Sequence, residues 1–286
     1  MTPNLRGSLF MTASMAGFAV EDAFVKAASR DIPVGQVVLI MGLIGIAVFS
    51  ALALRAGHRP VPAAMFTRTM ALRSVFEITG RLFYALALAL TPISSASAIL
   101  QATPLVVVLG AALLFGEKVS LQRWLLIFLG FIGVLIILRP GVAGFSALSL
   151  LAVVGMIGFA GRDLATRAAP LALSNAQLGV TGFIMLALSG VIITAVTGKA
   201  VIPSAQSLPL LAAGALFSIT AYAALTAAMR SGEIAVVTPF RYTRLLFAMI
   251  IGVMVFGERP DTATLLGAAI IVVCGVIILG QNRRRA

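Results

Sequence analysis

The chain has 286 residues, 60% of them hydrophobic and only 10% charged. A soluble domain averages about 25% charged residues, so this composition excludes a water-facing globular fold. One cysteine, Cys274, and one histidine, His58, exclude an intramolecular disulfide, a thiolate- or imidazole-rich metal site and most nucleophile–histidine arrangements.

Ten apolar segments follow, near 7–27, 33–55, 69–90, 92–115, 121–138, 146–168, 174–197, 208–229, 234–256 and 262–280. Each approaches or passes the roughly 20 residues that span a bilayer core. The expected fold is therefore all-α and polytopic, with short loops. The first segment reads as a retained span, not a cleaved signal peptide, yet it carries Glu21, Asp22 and Lys26 within "GFAVEDAFVKAA". The third places Arg73, Glu77 and Arg81 at i, i+4 and i+8, on one helical face. Arg73 is close enough to the end to snorkel. Glu77 lies about 12 Å in and Arg81 about 18 Å, at 1.5 Å rise per residue. The fourth contains "SSASA" at 94–98, suited to close helix packing, and Pro104. The sixth carries Arg162 and Asp163, the eighth Tyr222, and the ninth Pro239, Arg241, Tyr242 and Arg244. Pro104 and Pro239 are expected to kink their helices and free backbone carbonyls.

With ten spans both termini share a side. That side collects Arg6, Arg55, Arg59, Arg68, Lys118, Arg123, Arg167, Arg230 and the three arginines from Arg283, against Lys26, Arg30, Arg139, Lys199 and Arg259 on the other. The positive-inside bias then puts both termini in the cytoplasm. The formal charge of +12 is accounted for by topology, with the lipid bilayer as partner and no nucleic acid.

An internal repeat organises the chain. "MAGFAVEDAFVKAA" at 15–28 recurs as "MIGFAGRDLATRAA" at 156–169, an offset of 141. At that offset "FGEK" at 115–118 falls on "FGER" at 256–259, "LIIL" at 135–138 on "VIIL", and Gln36 on Gln177. Five spans per half is an odd number, so the second half must enter the membrane from the opposite face. The expected plan is two inverted five-helix repeats, 1–141 and 142–286, with a site near the midplane between them. In each Gly-Glu pair, glycine suits the end of one helix and glutamate the N-terminal dipole of the next.

On these features the chain resembles the drug/metabolite transporter superfamily, in its ten-helix EamA-type branch: two five-helix repeats, a Gly-Glu pair closing each fourth helix, and glycine-bearing fifth helices "GFIGVLIIL" and "CGVIILG". It is similar to bacterial exporters of amino acids and metabolites, including the YddG-like exporters. The resemblance implies amino-acid or metabolite export across the bacterial inner membrane, with no cofactor.

Ionisable side chains at membrane depth cost roughly 2.5–3.5 kcal/mol and face the bundle interior or water. Here they are Arg73, Arg81, Arg162, Arg241 and Arg244 against Glu21, Asp22, Glu77 and Asp163. The offset sets Arg81 on Tyr222, Glu77 on Ser218, Arg241 on Leu100 and Arg244 on Thr103, so symmetry does not demand these charges. One reading is an ion-pair network that fixes packing. The other is a substrate site in which Arg81 or Arg244 takes a carboxylate, with Glu77, Tyr222 and Tyr242 beside it. Glu21, Asp22, Arg162, Asp163 and Arg241 are then the candidate coupling or gating groups, and the four acids candidate proton carriers. Glu21 and Arg162 occupy equivalent places with opposite charge and are expected to pair if those places lie near the pseudo-two-fold axis. Alternating access by a small-molecule carrier is the expected activity. An importer or facilitator of an anionic metabolite is the runner-up, with an ion channel or a membrane enzyme behind it. A monomer and a homodimer both fit the sequence. The absence of a Gly-Lys-Ser/Thr nucleotide motif argues against ATP-driven pumping.

Overall fold

The computed structural model describes residues 1–90, 99–139, 147–198, 200–256 and 260–283, and every regular element among them is helical. Helix α1 (Pro3–Ala28) opens where the Thr2 hydroxyl accepts the Leu5 N–H, and Pro3 occupies a first-turn position that needs no donor. Helix α2 (Val34–Arg55) and a 3-10 turn (Ala63–Phe66) lead to α3 (Arg68–Leu90). Helix α4 (Thr103–Phe115) stops at Gly116, whose φ of 66° closes the helix left-handed. Ser120 caps α5 (Leu121–Leu138).

In the second half, α6 (Ser149–Arg167) precedes α7 (Asn175–Thr197), which opens on a reciprocal capping box between Ser174 and Gln177. Helix α8 (Ser207–Met229) follows. Span α9 is interrupted: one α-turn (Ile234–Val237), a 3-10 segment (Thr238–Tyr242), then α-helix again (Thr243–Phe256). Helix α10 (Thr262–Arg283) ends the bundle. Seven of these spans are long and apolar enough to cross a membrane, while α4 and α10 have shorter apolar stretches. Helix α3 differs because it carries Arg73, Glu77 and Arg81, the first two of which its neighbours bury completely.

The most extensive helix pairings are α2 with α7, α3 with α6, α1 with α8, and α5 with α10. Exchanging the two repeats maps this set onto itself: α2–α7 and α5–α10 are their own images, and α3–α6 becomes α8–α1. The close approaches obey the same rule. A Cβ on Gly158 would stand 2.6 Å from the Cα of Gly80, and one on Gly17 would stand 2.9 Å from the Cβ of Ala221. Adding 141 to Gly17 and Gly80 gives Gly158 and Ala221, so one tight crossing is built twice. Along α2 and α7, Gly35 meets Thr194, Gly42 meets Ala187 and Gly45 meets Phe183, so the pair runs antiparallel. The fold is thus two inverted five-helix repeats, interlocked because each dominant pairing joins one half to the other.

The two ends of the bundle are closed differently. At the end holding the N-terminus, Arg123 donates to Glu233 at 2.5 Å, Asn4 donates to the same carboxylate at 3.2 Å, and the Glu233 N–H donates back to Asn4 at 2.7 Å. Glu117 accepts the Ile234 N–H at 3.1 Å and lies 3.9 Å from Arg167. The glutamate of "FGEK" therefore serves the first turn of α9, not the following helix α5, which already has Ser120. Its counterpart in "FGER" lies outside the described residues, as does "SSASA". At the opposite end Arg139 donates to both oxygens of Asp261 at 2.6 and 2.5 Å. That guanidinium and the Thr264 N–H hold the Asp261 carboxyl well below the usual carboxylate range. A depressed acid of this kind contributes stability above its unfolded value and loses it only as pH falls through the folded one. Gln36 and Gln177, matched by the offset, each donate to a loop carbonyl: Val201 at 2.5 Å and Arg59 at 2.8 Å.

Candidate substrate cavity

A cavity of about 190 Å³ lies between α1, α3, α4, α6 and α9. The register of residues along these helices explains its position. On α1, Asn4 belongs to the polar closure, Met11 and Met15 to a buried apolar cluster, and Phe18, Glu21 and Asp22 to the cavity wall. The same order holds from Glu117 through Ala111 and Val107 to Thr103 on α4, and from Arg167 through Leu164 to Phe159 on α6. An apolar plug therefore separates the cavity from the N-terminal end. Toward the other end the side chains open to solvent: Arg81 is 23% exposed, Arg244 33% and Asp22 59%.

Both spans that carry the anticipated prolines are broken at cavity level. The chain makes a turn at 101–102 before α4 starts at Thr103, with Pro104 in its first turn. In α9, Pro239 sits at the start of the 3-10 segment. The apolar run 92–115 is thus not one continuous described helix. Gln101 and Thr103 from one break, and Arg241 and Arg244 from just beyond the other, line the cavity.

Below the wall the charges form a continuous chain. Glu77, fully buried, accepts from the Tyr222 hydroxyl at 2.7 Å, from Arg162 at 3.2 Å and from Arg81 at 3.2 Å, with Arg73 3.7 Å away. Arg162 also donates its Nε to Asp163 at 2.8 Å, and Arg241 pairs with the other oxygen of Asp163. Arg73 does not snorkel. It is wholly buried and donates to Tyr222 at 2.6 Å and Thr166 at 2.9 Å. Glu77 lies four residues along the same face, a nearer attraction than the membrane edge. Nearer the mouth, Arg244 grips Asp22 through Nε at 3.2 Å and a terminal nitrogen at 2.5 Å. Arg244 stacks over Phe18 at 5.6 Å and Arg162 over Phe159 at 5.3 Å.

Of the anticipated residues, Arg81, Arg244, Glu21, Asp22, Arg162 and Arg241 meet at the cavity, with Glu77, Asp163 and Tyr222 packed behind it. Tyr242 does not reach it. Its ring packs with Val134 and Ile271 and its hydroxyl donates to the Ile127 carbonyl at 3.4 Å. Glu21 and Arg162 share the wall without pairing, because Glu77 and Asp163 take the guanidinium. Tyr84, a tyrosine within its span that could hydrogen-bond a ligand, lines the wall, and Phe18 and Phe159 join it unannounced by sequence, since phenyl rings in an apolar span read as packing. Among the described residues no group of three His, Cys, Asp or Glu side chains could hold a metal. The chemistry available here is ion pairing and stacking. Arg81 supports the former: its Nε has no hydrogen-bond partner among the described residues.

Residues 5–139 and 143–280 each match the model of the EamA-like transporter family. The chain belongs to that family, within the drug/metabolite transporter superfamily. EamA-like relatives agree over most of the length. A riboflavin transporter of Vibrio cholerae is 28% identical over 99% of this chain and 95% of its own. The pseudopaline exporter CntI of Pseudomonas aeruginosa is 26% identical over 95% of both. An S-adenosylmethionine uptake transporter of Rickettsia bellii is 25% identical over 74% of this chain and 72% of its own. A protein crystal structure aligns with a TM-score of 0.81 and 19% identity over 97% of this chain and 98% of that one, a likeness of fold. This EamA-like chain is accordingly a multi-pass membrane transporter, not an enzyme.

Proposed function

We propose that this transporter works by alternating access, moving a small organic metabolite that carries a carboxylate beside a flat or apolar body, with amino acids and their derivatives the first class to test. The observation that carries this reading is the cavity wall. Arg81 and Arg244 each present a partly exposed guanidinium, beside the rings of Phe18, Tyr84 and Phe159. The apolar plug and polar closure on one side, and solvent access on the other, suit a carrier at rest in one of its two states. In the bacterial inner membrane with cytoplasmic termini, this is the outward-facing state. The names of the relatives support a metabolite of this size: S-adenosylmethionine is an amino acid joined to an adenosyl group, and riboflavin is flat. Because those names include both an exporter and an uptake transporter, export remains the family-based part of the proposal.

The test is a thermal-shift and counterflow screen of the twenty amino acids, S-adenosylmethionine and riboflavin, repeated on R81A and R244A proteins. A charged hydrogen bond contributes about 1.5–3 kcal/mol, so each variant is expected to lose about ten- to a hundredfold in affinity while folding normally. Unchanged affinity in both variants refutes the site.

A further inference from the structure

Three of the four acids at cavity level have a cation. Glu77 has Arg81 and Arg162, Asp163 has Arg162 and Arg241, and Asp22 has Arg244. Glu21 lines the same cavity, and among the described residues no Lys or Arg nitrogen lies within the 4.0 Å of an ion pair with it.

The repeat explains why. Glu77 on α3 meets Arg162 on α6 at 3.2 Å. Shifting both by one repeat gives Ser218 on α8 and Glu21 on α1, which face each other at the equivalent α1–α8 crossing. The same helix crossing is thus built twice with one glutamate each time. In one copy its partner is an arginine, in the other a serine. A carboxylate at membrane depth without a cation is costly to keep charged, whereas a neutral acid beside a hydroxyl is not.

We propose that Glu21 is the carboxyl group that takes up a proton from water on one side of the membrane and releases it on the other during transport, while Glu77, the glutamate of the other crossing, stays an ionised structural anchor. The groups facing Glu21 are Asp22 on its own helix, Arg81 and Tyr84 from α3, Arg162 from α6, Ser218 from α8, and Arg241 and Arg244 from α9. Helix α4 contributes the neutral Gln101 and Thr103. Protonation converts the Glu21 carboxylate to the acid and removes one negative charge from this set. The arginines then outweigh the remaining carboxylates further, so an anionic group on the cargo is bound more tightly. By reciprocity the bound anion favours protonation equally. Proton and anion travel together, and a cationic group opposes the proton.

The transfer of protons between sides rests on the alternating-access reading; the protonation of Glu21 does not, and it is tested alone. The measurement is infrared difference spectroscopy of the full chain in liposomes, without cargo, between mildly alkaline and mildly acidic buffer. The wild type is expected to gain a protonated-carboxyl stretching band, E21Q to lose it, E21D to keep it at a shifted position, and D22N to keep it unchanged. An unaltered band in E21Q, or no band in the wild type, overturns the proposal. E21D covers the case in which E21Q fails to fold.

Discussion

Glu77 receives hydrogen bonds from Tyr222, Arg81 and Arg162 on three directions of approach, and this determines what its loss costs. Glu77→Gln leaves Arg162, Arg81 and Arg73 around a neutral group in a site with no water access. Removing one partner of a buried pair costs about 3–5 kcal/mol, so denaturant unfolding of E77Q in detergent is expected to show a loss of that size. An equal midpoint for E77Q and wild type would place the Glu77 charge outside the stability of the fold. At this scale the sequence was partly readable. The spacing of Arg73, Glu77 and Arg81 put them on one inward face, and the near balance of acids and bases implied pairing. Which acid met which base was not readable. Arg162 turns to Glu77 and Asp163, away from Glu21, because the α3–α6 crossing is tight enough at Gly80 and Gly158 to bring those side chains together.

Among the helices, the two glycine crossings and the two broken spans do different work. Gly80 and Gly158 let α3 and α6 touch backbone to backbone, which sets the depth at which the ion pairs meet. Gly158→Val is expected to force the helices apart, costing about 1–3 kcal/mol from overpacking, with a lower thermal midpoint and weaker cargo binding together. A variant that keeps both values would show that the crossing is not the positioning element. The breaks in α4 and α9 put irregular backbone near the cavity, as discontinuous helices do in carriers. Pro104 and Pro239 marked them in the sequence. Hydropathy still drew 92–115 as one span, because a window average registers side chains and not the backbone turn at 101–102. Glu117 was legible as a helix-end acid, but its partner, the first turn of α9, lies 117 positions along the chain and no local pattern points there.

For the molecule as a whole, the constant offset of 141 made the repeat visible, and the match of residues 5–139 and 143–280 to one family model agrees with it. The interlocking of the halves was hidden, since the sequence shows which segments correspond and not which ones touch. That interlocking matters for movement. Each dominant pairing joins the halves, so a rocking motion must slide or tilt helices of one repeat against the other around the cavity. In this structure, the Asn4–Glu233–Arg123 closure and the plug of Met11, Val107 and Val237 seal one end. The most direct test labels a cysteine at Phe18 in a chain whose Cys274 is serine, reconstituted in one orientation, with a thiol reagent that cannot cross the membrane. The expected result is labelling from both sides, with E233Q raising the rate from the N-terminal side and lowering it from the other. Labelling from one side only, unaltered by E233Q, would contradict alternating access through this cavity.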